Sequence, residues 1–290
     1  MGVFADSRCL MCQLERNLQT ARKLGSEEQA TAFAKDLMRH LCDAPEGISA
    51  PWFTSGIAEL FQKHYGLPLD RYAEEKKQSN AFVLARMDEI REKIRSSSDP
   101  VLTGLKFAIL GNYIDFAALR DAVSFDELDR MLLSAMDMEL DAENFRSFCR
   151  ELETGKRLLY LTDNAGEIGF DRLFAEAIAE HYPHLEITFC VRGGPAANDA
   201  TREDAAEVGI PFPIIDNGNR IPGTQLDQLG DEARQAMDAA DVILSKGQGN
   251  AETLLGCGYN IYYAFLIKCQ LFIDRFGKPK LTPMLVKEKA

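Results

Sequence analysis

Between Lys156 and Glu176 the chain reads KRLLYLTDNAGEIGFDRLFAE, the stretch around which the rest is organised. Leu158 to Thr162 are β-prone and mostly apolar, held between Lys156-Arg157 and Asp163-Asn164, so they are predicted as a short buried strand. Ala165-Gly166-Glu167 permit a tight turn, and Ile168, Arg172, Leu173, Ala175 and Ala179 open a helical repeat. Strand, polar tip and helix N-terminus in succession mark the edge at which a parallel sheet keeps its chemistry.

The rest of the chain divides around this unit. Apolar residues at three- and four-residue spacing predict helices over Cys9–Lys23, Glu27–Cys42, Ser55–Tyr65, Arg71–Ser96, Val101–Val123 and Phe125–Leu140. After Gly155 strands are expected at Leu158–Thr162, Glu186–Val191, Pro211–Ile215, Asp241–Ser245 and Ile261–Ile267. Helices near Asp171–His181, Thr201–Val208, Leu226–Ala240 and Ala251–Gly256 separate them. That alternation predicts a parallel or mostly parallel sheet with right-handed crossovers. Residues 1–150 are therefore expected as a helical N-terminal region, and 151–290 as a Rossmann-like α/β metal-binding domain.

Composition narrows the function. With 46% hydrophobic and 27% charged residues, 290 residues suffice to bury a full core. A net charge of −12 leaves no basic surplus for a nucleic-acid backbone, so small molecules are the expected ligands. The start MGVFADSRCLMCQ lacks a basic segment followed by an apolar run, and Asp6 stands where myristoylation needs Ser or Thr. Ile261 to Ile267 stops at Lys268, far short of the roughly 20 residues that span a bilayer. A cytoplasmic protein with no membrane partner is expected, its 7 cysteines as free thiols.

In a parallel sheet the carboxyl ends of all strands share one edge, so tips distant in sequence converge. The first tip is Asp163-Asn164; the second runs Arg192-Gly193-Gly194-Pro195-Ala196-Ala197-Asn198-Asp199, repeating acid and amide in reverse order. A later strand opens into Lys246-Gly247-Gln248-Gly249-Asn250, and the last ends at Lys268. Two carboxylates and two amides, with no His or Cys, form an all-oxygen set suited to magnesium or manganese. Lysines and glycine-flanked amides beside it can hold the charge of a phosphate, which is equipment for phosphoryl chemistry.

Blander roles compete with each feature. Asp199 before Ala200-Thr201-Arg202-Glu203 suits a helix N-cap, and a single Asp-Asn at a strand end is commonly an Asx turn. Turn chemistry at two successive tips does not call for the lysine at the third. Gly247-Gln248-Gly249-Asn250-Ala251-Glu252 begins like GxGxxG but has Glu252 in place of the third glycine and follows a late strand, which argues against a dinucleotide site. Asn112 and Asp115 lie three apart in an apolar helix, on one face, and need partners. Cys9 and Cys12 form a single CxxC, better explained by a packed helix face than by zinc, and His181 and His184 suit a helix end.

Gly111-Asn112 with Asp115, Asp163-Asn164-Ala165-Gly166-Glu167, Arg192-Gly193 with Asn198-Asp199-Ala200-Thr201, and Lys246-Gly247-Gln248-Gly249-Asn250 together resemble the damage-control phosphatase family. The early CxxC and Lys268-Cys269 resemble its stand-alone microbial branch, and the likeness runs from Cys9 to Cys269. The resemblance implies a helical N-terminal region packed on a three-layer α/β/α domain with a mostly parallel sheet. It implies Asp163, Asn164 and Asp199 as metal ligands, and Lys246 and Lys268 as contacts to the substrate phosphate. Asn112, Asp115 and Glu167 would line the pocket, with Asn198, Gly247 and Asn250 also on the substrate side. The implied activity is removal of phosphate from sugar phosphates and related metabolites, damaged or side-product forms included, with manganese, cobalt, nickel or magnesium.

Asp163 and Lys246 are thus the expected catalytic pair. The nucleophile is either Asp163, forming an aspartyl-phosphate, or water activated by the ion with Asp163 as ligand. A haloacid-dehalogenase-like phosphatase needs an acid where Ala165 stands, and a methyltransferase needs a glycine-rich first turn that Asp163-Asn164-Ala165-Gly166 does not supply. A non-enzymatic metal or nucleotide sensor is the remaining alternative.

Overall fold

The structure, a computed structural model, describes residues 3–118 and 138–287, with the side chains of 114–118 outside that description. Helices α1 (Ser7–Leu24), α2 (Glu27–Cys42) and α3 (Phe53–Tyr65) come first. Their termini are chemically marked: Asp6 caps α1, Ser26 and Gln29 form a capping box on α2, and left-handed Gly66 ends α3. Phe33, Leu37, Phe53, Ile57 and Phe61 bury a core of their own among these helices.

The expected single helix over Arg71–Ser96 is instead two, α4 (Ala73–Leu84) and α5 (Met87–Arg95), broken at Ala85-Arg86. Helix α6 (Pro100–Ala118) is mostly apolar and lies between two buried clusters, with Leu102, Lys106 and Tyr113 half-buried along one side. Most of the expected helix Phe125–Leu140 lies outside the described residues. Helix α7 (Ala142–Thr154), capped by Asp141, was not anticipated, although Phe145, Phe148, Cys149 and Leu152 give it a helical stripe.

Then the alternation begins: β1 (Arg157–Leu161), α8 (Glu167–His181), β2 (Glu186–Val191), α9 (Arg202–Glu207) and β3 (Ile214–Asp216). It continues with α10 (Asp231–Ala239), β4 (Val242–Lys246), α11 (Gly247–Leu254), β5 (Ile261–Leu266), α12 (Gln270–Phe276) and β6 (Pro283–Lys287). The strands form one sheet in the order β3-β2-β1-β4-β5-β6. The first five run parallel and β6 pairs antiparallel with β5, a strand absent from the sequence expectation. The expected helix over Leu226–Ala240 is a short 3-10 turn followed by α10.

Helices lie on both faces. Val101, Leu105 and Ile109 of α6, Phe148 and Leu152 of α7, and Phe174 and Ile178 of α8 pack on one face with Tyr160, Phe189 and Tyr262. Met237 of α10, Ala251 and Leu254 of α11, and Phe272 of α12 pack on the other with Leu159, Ile243 and Phe265. Helices α4 and α5 add a further layer over α6 and α8. No described helix is long and apolar enough to cross a membrane.

Candidate active site

The strand order reverses direction between β1 and β4, and in an open α/β sheet the crevice beyond that point receives ligands. Asp163-Asn164 follow β1 there, and α11 starts with Gly247 directly after β4. The second tip folds back onto the first: Asn164 and Asp199 form an antiparallel backbone bridge, and the Ala200 amide donates to the Asp163 carbonyl at 2.8 Å. The sequence expectation that these residues meet at one edge corresponds to this bridge.

A dense polar network fills the crevice. Asn112 Nδ2, from α6, donates to Asp163 Oδ2 (2.8 Å) and Glu167 Oε2 (2.7 Å). Asn164 Nδ2 reaches the same two oxygens at 2.7 and 3.0 Å, while Asn198 Nδ2 donates to Asn164 Oδ1 at 2.9 Å. Asn112, Asp163, Asn164, Glu167 and Asp199 are all buried. Gly247 has φ +79°, and a Cβ there would stand 2.0 Å from Asp163 Oδ2, so only glycine lets α11 begin against that carboxylate.

Beneath lies a buried cation. Lys246 Nζ donates to Ala108 O (2.8 Å), Glu167 Oε1 (2.7 Å) and Asp171 Oδ1 (2.6 Å), and Tyr160 Oη donates to the same Asp171 oxygen at 2.7 Å. Burial works against the lysine's charge, but Asp171 and Glu167 outweigh it and hold its pKa above the ordinary value. Burial pushes Asp171 up to about 7 despite the pull of Lys246. An ammonium has three donors, and all three are used, so the expected contact of Lys246 with a substrate phosphate has no donor in this arrangement.

A second buried cation ties the tips together. Arg192 Nε donates to Asp199 Oδ2 at 2.6 Å, and Nη2 reaches Thr162 O and Asn250 Oδ1, both at 3.1 Å. Asn250 also accepts from Thr224 Oγ1 (2.7 Å) and donates to Thr162 O (2.9 Å) and Lys246 O (2.6 Å). Both amide ends of Asn250 are thus engaged inside the protein, where it clasps the ends of β1 and β4 to Arg192. Lys268 donates its backbone N–H to Gln248 Oε1 at 2.8 Å, and its charge acts on Glu252. Asp115 lies on α6 but its side chain is outside the described residues.

Several contributors escaped the sequence. Asn80 of α4 accepts the Gly166 N–H at 2.6 Å and donates to Asp204 and Glu207, while Lys76 pairs with Asp204 at 2.6 Å. These bolt α4 onto the turn after the first tip and onto α9 after the second, yet in the stretch EEKKQSN they look like a solvated helix face. Asp171 was detectable in principle, being four residues after Glu167 and so on the same helix face.

Among the described residues, no three His, Cys, Asp or Glu side chains gather as a ligand cluster. A cation here would be held by two carboxylates and an amide oxygen, completing its shell from water and substrate. The residues fit one: the donors are all oxygen, and buried Asn112 Oδ1, whose amide touches Asp163, has no hydrogen-bond partner. The buried groups of the crevice also carry four carboxylates (Asp163, Glu167, Asp171, Asp199) against two cations (Arg192, Lys246).

Comparison with known proteins gives one answer. A family model for the damage-control phosphatase ARMT1-like domain matches residues 5–282. A damage-control phosphatase of Archaeoglobus fulgidus is 35% identical over 205 residues, covering 69% of this chain and 70% of that protein. One from Pyrococcus horikoshii is 30% identical over 223 residues, covering 76% and 75%. The crystal structure of a DUF89-family protein from Pyrococcus horikoshii superposes with a TM-score of 0.85 at 26% identity, covering 99% of this chain and 100% of that one.

Proposed function

The chain belongs to the damage-control phosphatase ARMT1-like family, and on that premise we propose that it is a metal-dependent phosphatase of small phosphorylated metabolites, sugar phosphates and their damaged or side-product forms included. The observation that carries this is the junction of the two tips, where the Asn164–Asp199 bridge and the Ala200–Asp163 hydrogen bond set two carboxylates and an amide side by side. Asp163, Asn164 and Asp199 hold a divalent ion, of manganese, cobalt, nickel or magnesium. Bound there, it supplies positive charge to a phosphate oxygen and lowers the pKa of water.

The chain's own groups do the rest. The first amides of α11, at Gly247 and Gly249, offer a helix N-terminus to the phosphate next to Asp163, and Lys268 adds charge from the end of β5. Asn198 lies half-buried at the rim, where it fixes Asn164 and meets the rest of the substrate. The net charge of −12 speaks against a nucleic-acid substrate.

The test is release of inorganic phosphate from p-nitrophenyl phosphate and a panel of sugar phosphates under each of the four metals. Turnover that needs metal and drops at least ~1000-fold in Asp163→Ala is expected. Tight binding of the same esters without turnover under any metal would assign the crevice to a sensor instead.

A further inference from the structure

We propose that Lys246 is a positioning residue that does not touch the phosphate: with Asp171 and Tyr160 it fixes Glu167, and through Glu167 it aims Asp163. This rests on the phosphatase assignment of the crevice and specifies how its interior works. The ammonium sits on the α6 and α8 side of the sheet, fully buried, its three N–H groups satisfied at 2.6–2.8 Å by Ala108 O, Glu167 and Asp171. To reach a substrate it would have to leave two buried carboxylates behind, which a dry interior penalises heavily.

Its influence reaches Asp163 by a short covalent and hydrogen-bonded route. Lys246 holds Oε1 of Glu167, which turns Oε2 toward the amide nitrogens of Asn112 and Asn164 at 2.7 and 3.0 Å. Each amide nitrogen has two hydrogens, and in both residues the same nitrogen also reaches Asp163 Oδ2, at 2.8 and 2.7 Å. Asp163 is thus gripped on one oxygen by amides whose orientation Glu167 dictates. Asp171 completes the anchor: it shares the lysine and is itself held by Tyr160, which stacks on Phe189 in the core with ring centroids 4.6 Å apart.

Two variants and one binding measurement decide the matter. Asp171→Asn keeps the shape but removes the charge, and Tyr160→Phe removes only one hydroxyl from a packed ring, so the second folds even if the first does not. At saturating metal, kcat is expected to fall ~10–100-fold in Asp171→Asn and ~3-fold in Tyr160→Phe, with inhibition by inorganic phosphate unchanged within about twofold in both. In wild-type protein carrying 15N-lysine, titration with magnesium and inorganic phosphate is expected to leave the Lys246 ammonium signal in place. A Lys246 signal that moves on phosphate addition, phosphate inhibition that weakens in step with kcat, or unchanged kcat in both variants overturns the proposal. The titration needs no turnover. A protein that binds phosphate without hydrolysing any ester therefore refutes the phosphatase assignment, while the lysine signal still supports or overturns the role given to Lys246.

Discussion

One methyl group at Gly247 is enough to disturb Asp163. A Cβ there overlaps the carboxylate, and the positive φ strains any side chain besides, so Gly247→Ala is expected to lose metal binding and activity together. The stability cost, about 1–3 kcal/mol, should be readable by urea unfolding, and metal affinity by calorimetry. Wild-type affinity in that variant would show that Asp163 is not where α11 forces it to be. Arg192→Met poses the complementary question. It leaves Asp199 buried without its guanidinium, a change worth roughly 3–5 kcal/mol against folding, far beyond the surface pairs of this chain. The acid-amide pairs could be read from sequence because a turn and a ligand use the same residues at the same place. The other partners of Arg192 could not, since Thr162 and Asn250 are brought to it only by the sheet, while Asp199 lies in the same tip loop.

Helix α6 enters the site because glycine lets it come close to α8. A Cβ at Gly111 would stand 2.7 Å from a ring carbon of fully buried Phe170 and 3.2 Å from Glu167 Cγ. Gly111→Ala gains about 1 kcal/mol of helix propensity but loses about 1–3 kcal/mol to overpacking, so the clash wins. Net destabilisation with a fall in kcat, as Asn112 withdraws from Asp163, is the expected result in urea unfolding and steady-state assays. At α11, burial pushes Glu252 up to about 7, against the pull of Gln248 and Lys268. A carboxylate with its folded pKa raised destabilises as it ionises, so this group's contribution falls as pH rises from about 4 to about 7. Glu252→Gln should flatten that part of the stability–pH curve of the metal-free protein, and an unchanged slope would count against the burial argument. Element legibility followed the same physics. The parallel strands announce themselves by apolar runs and polar tips, whereas β6 is five residues opened by Pro283 and is defined only by pairing with β5. Two glycines made the start of α11 look like loop, and the packing of Ala251 and Leu254 on the sheet overrides that preference.

At the scale of the molecule, the fold sets negative groups where the strand order reverses, and a cation bound there would offset their charge. Four buried carboxylates there face two buried cations, in a chain whose net charge is already −12. A ligand that binds the folded state alone stabilises it by RT ln(1 + [L]/Kd), about 2.7 kcal/mol at 100 times Kd. The unfolded chain cannot reproduce the junction, because Asp163 and Asp199 are 36 residues apart and meet only through the bridge between the tips. Nearly the whole of that term should therefore appear in thermal unfolding. For a chain of this size it amounts to a rise in Tm on the order of 5 °C when manganese is added, reversed by a chelator. Asp199→Asn should abolish most of the rise, read against that variant's own metal-free Tm, which falls because the buried Arg192 guanidinium loses its carboxylate. If manganese left the wild-type Tm where it was, or raised the Tm of Asp199→Asn equally, the two tips would not be the place where this protein holds its ion.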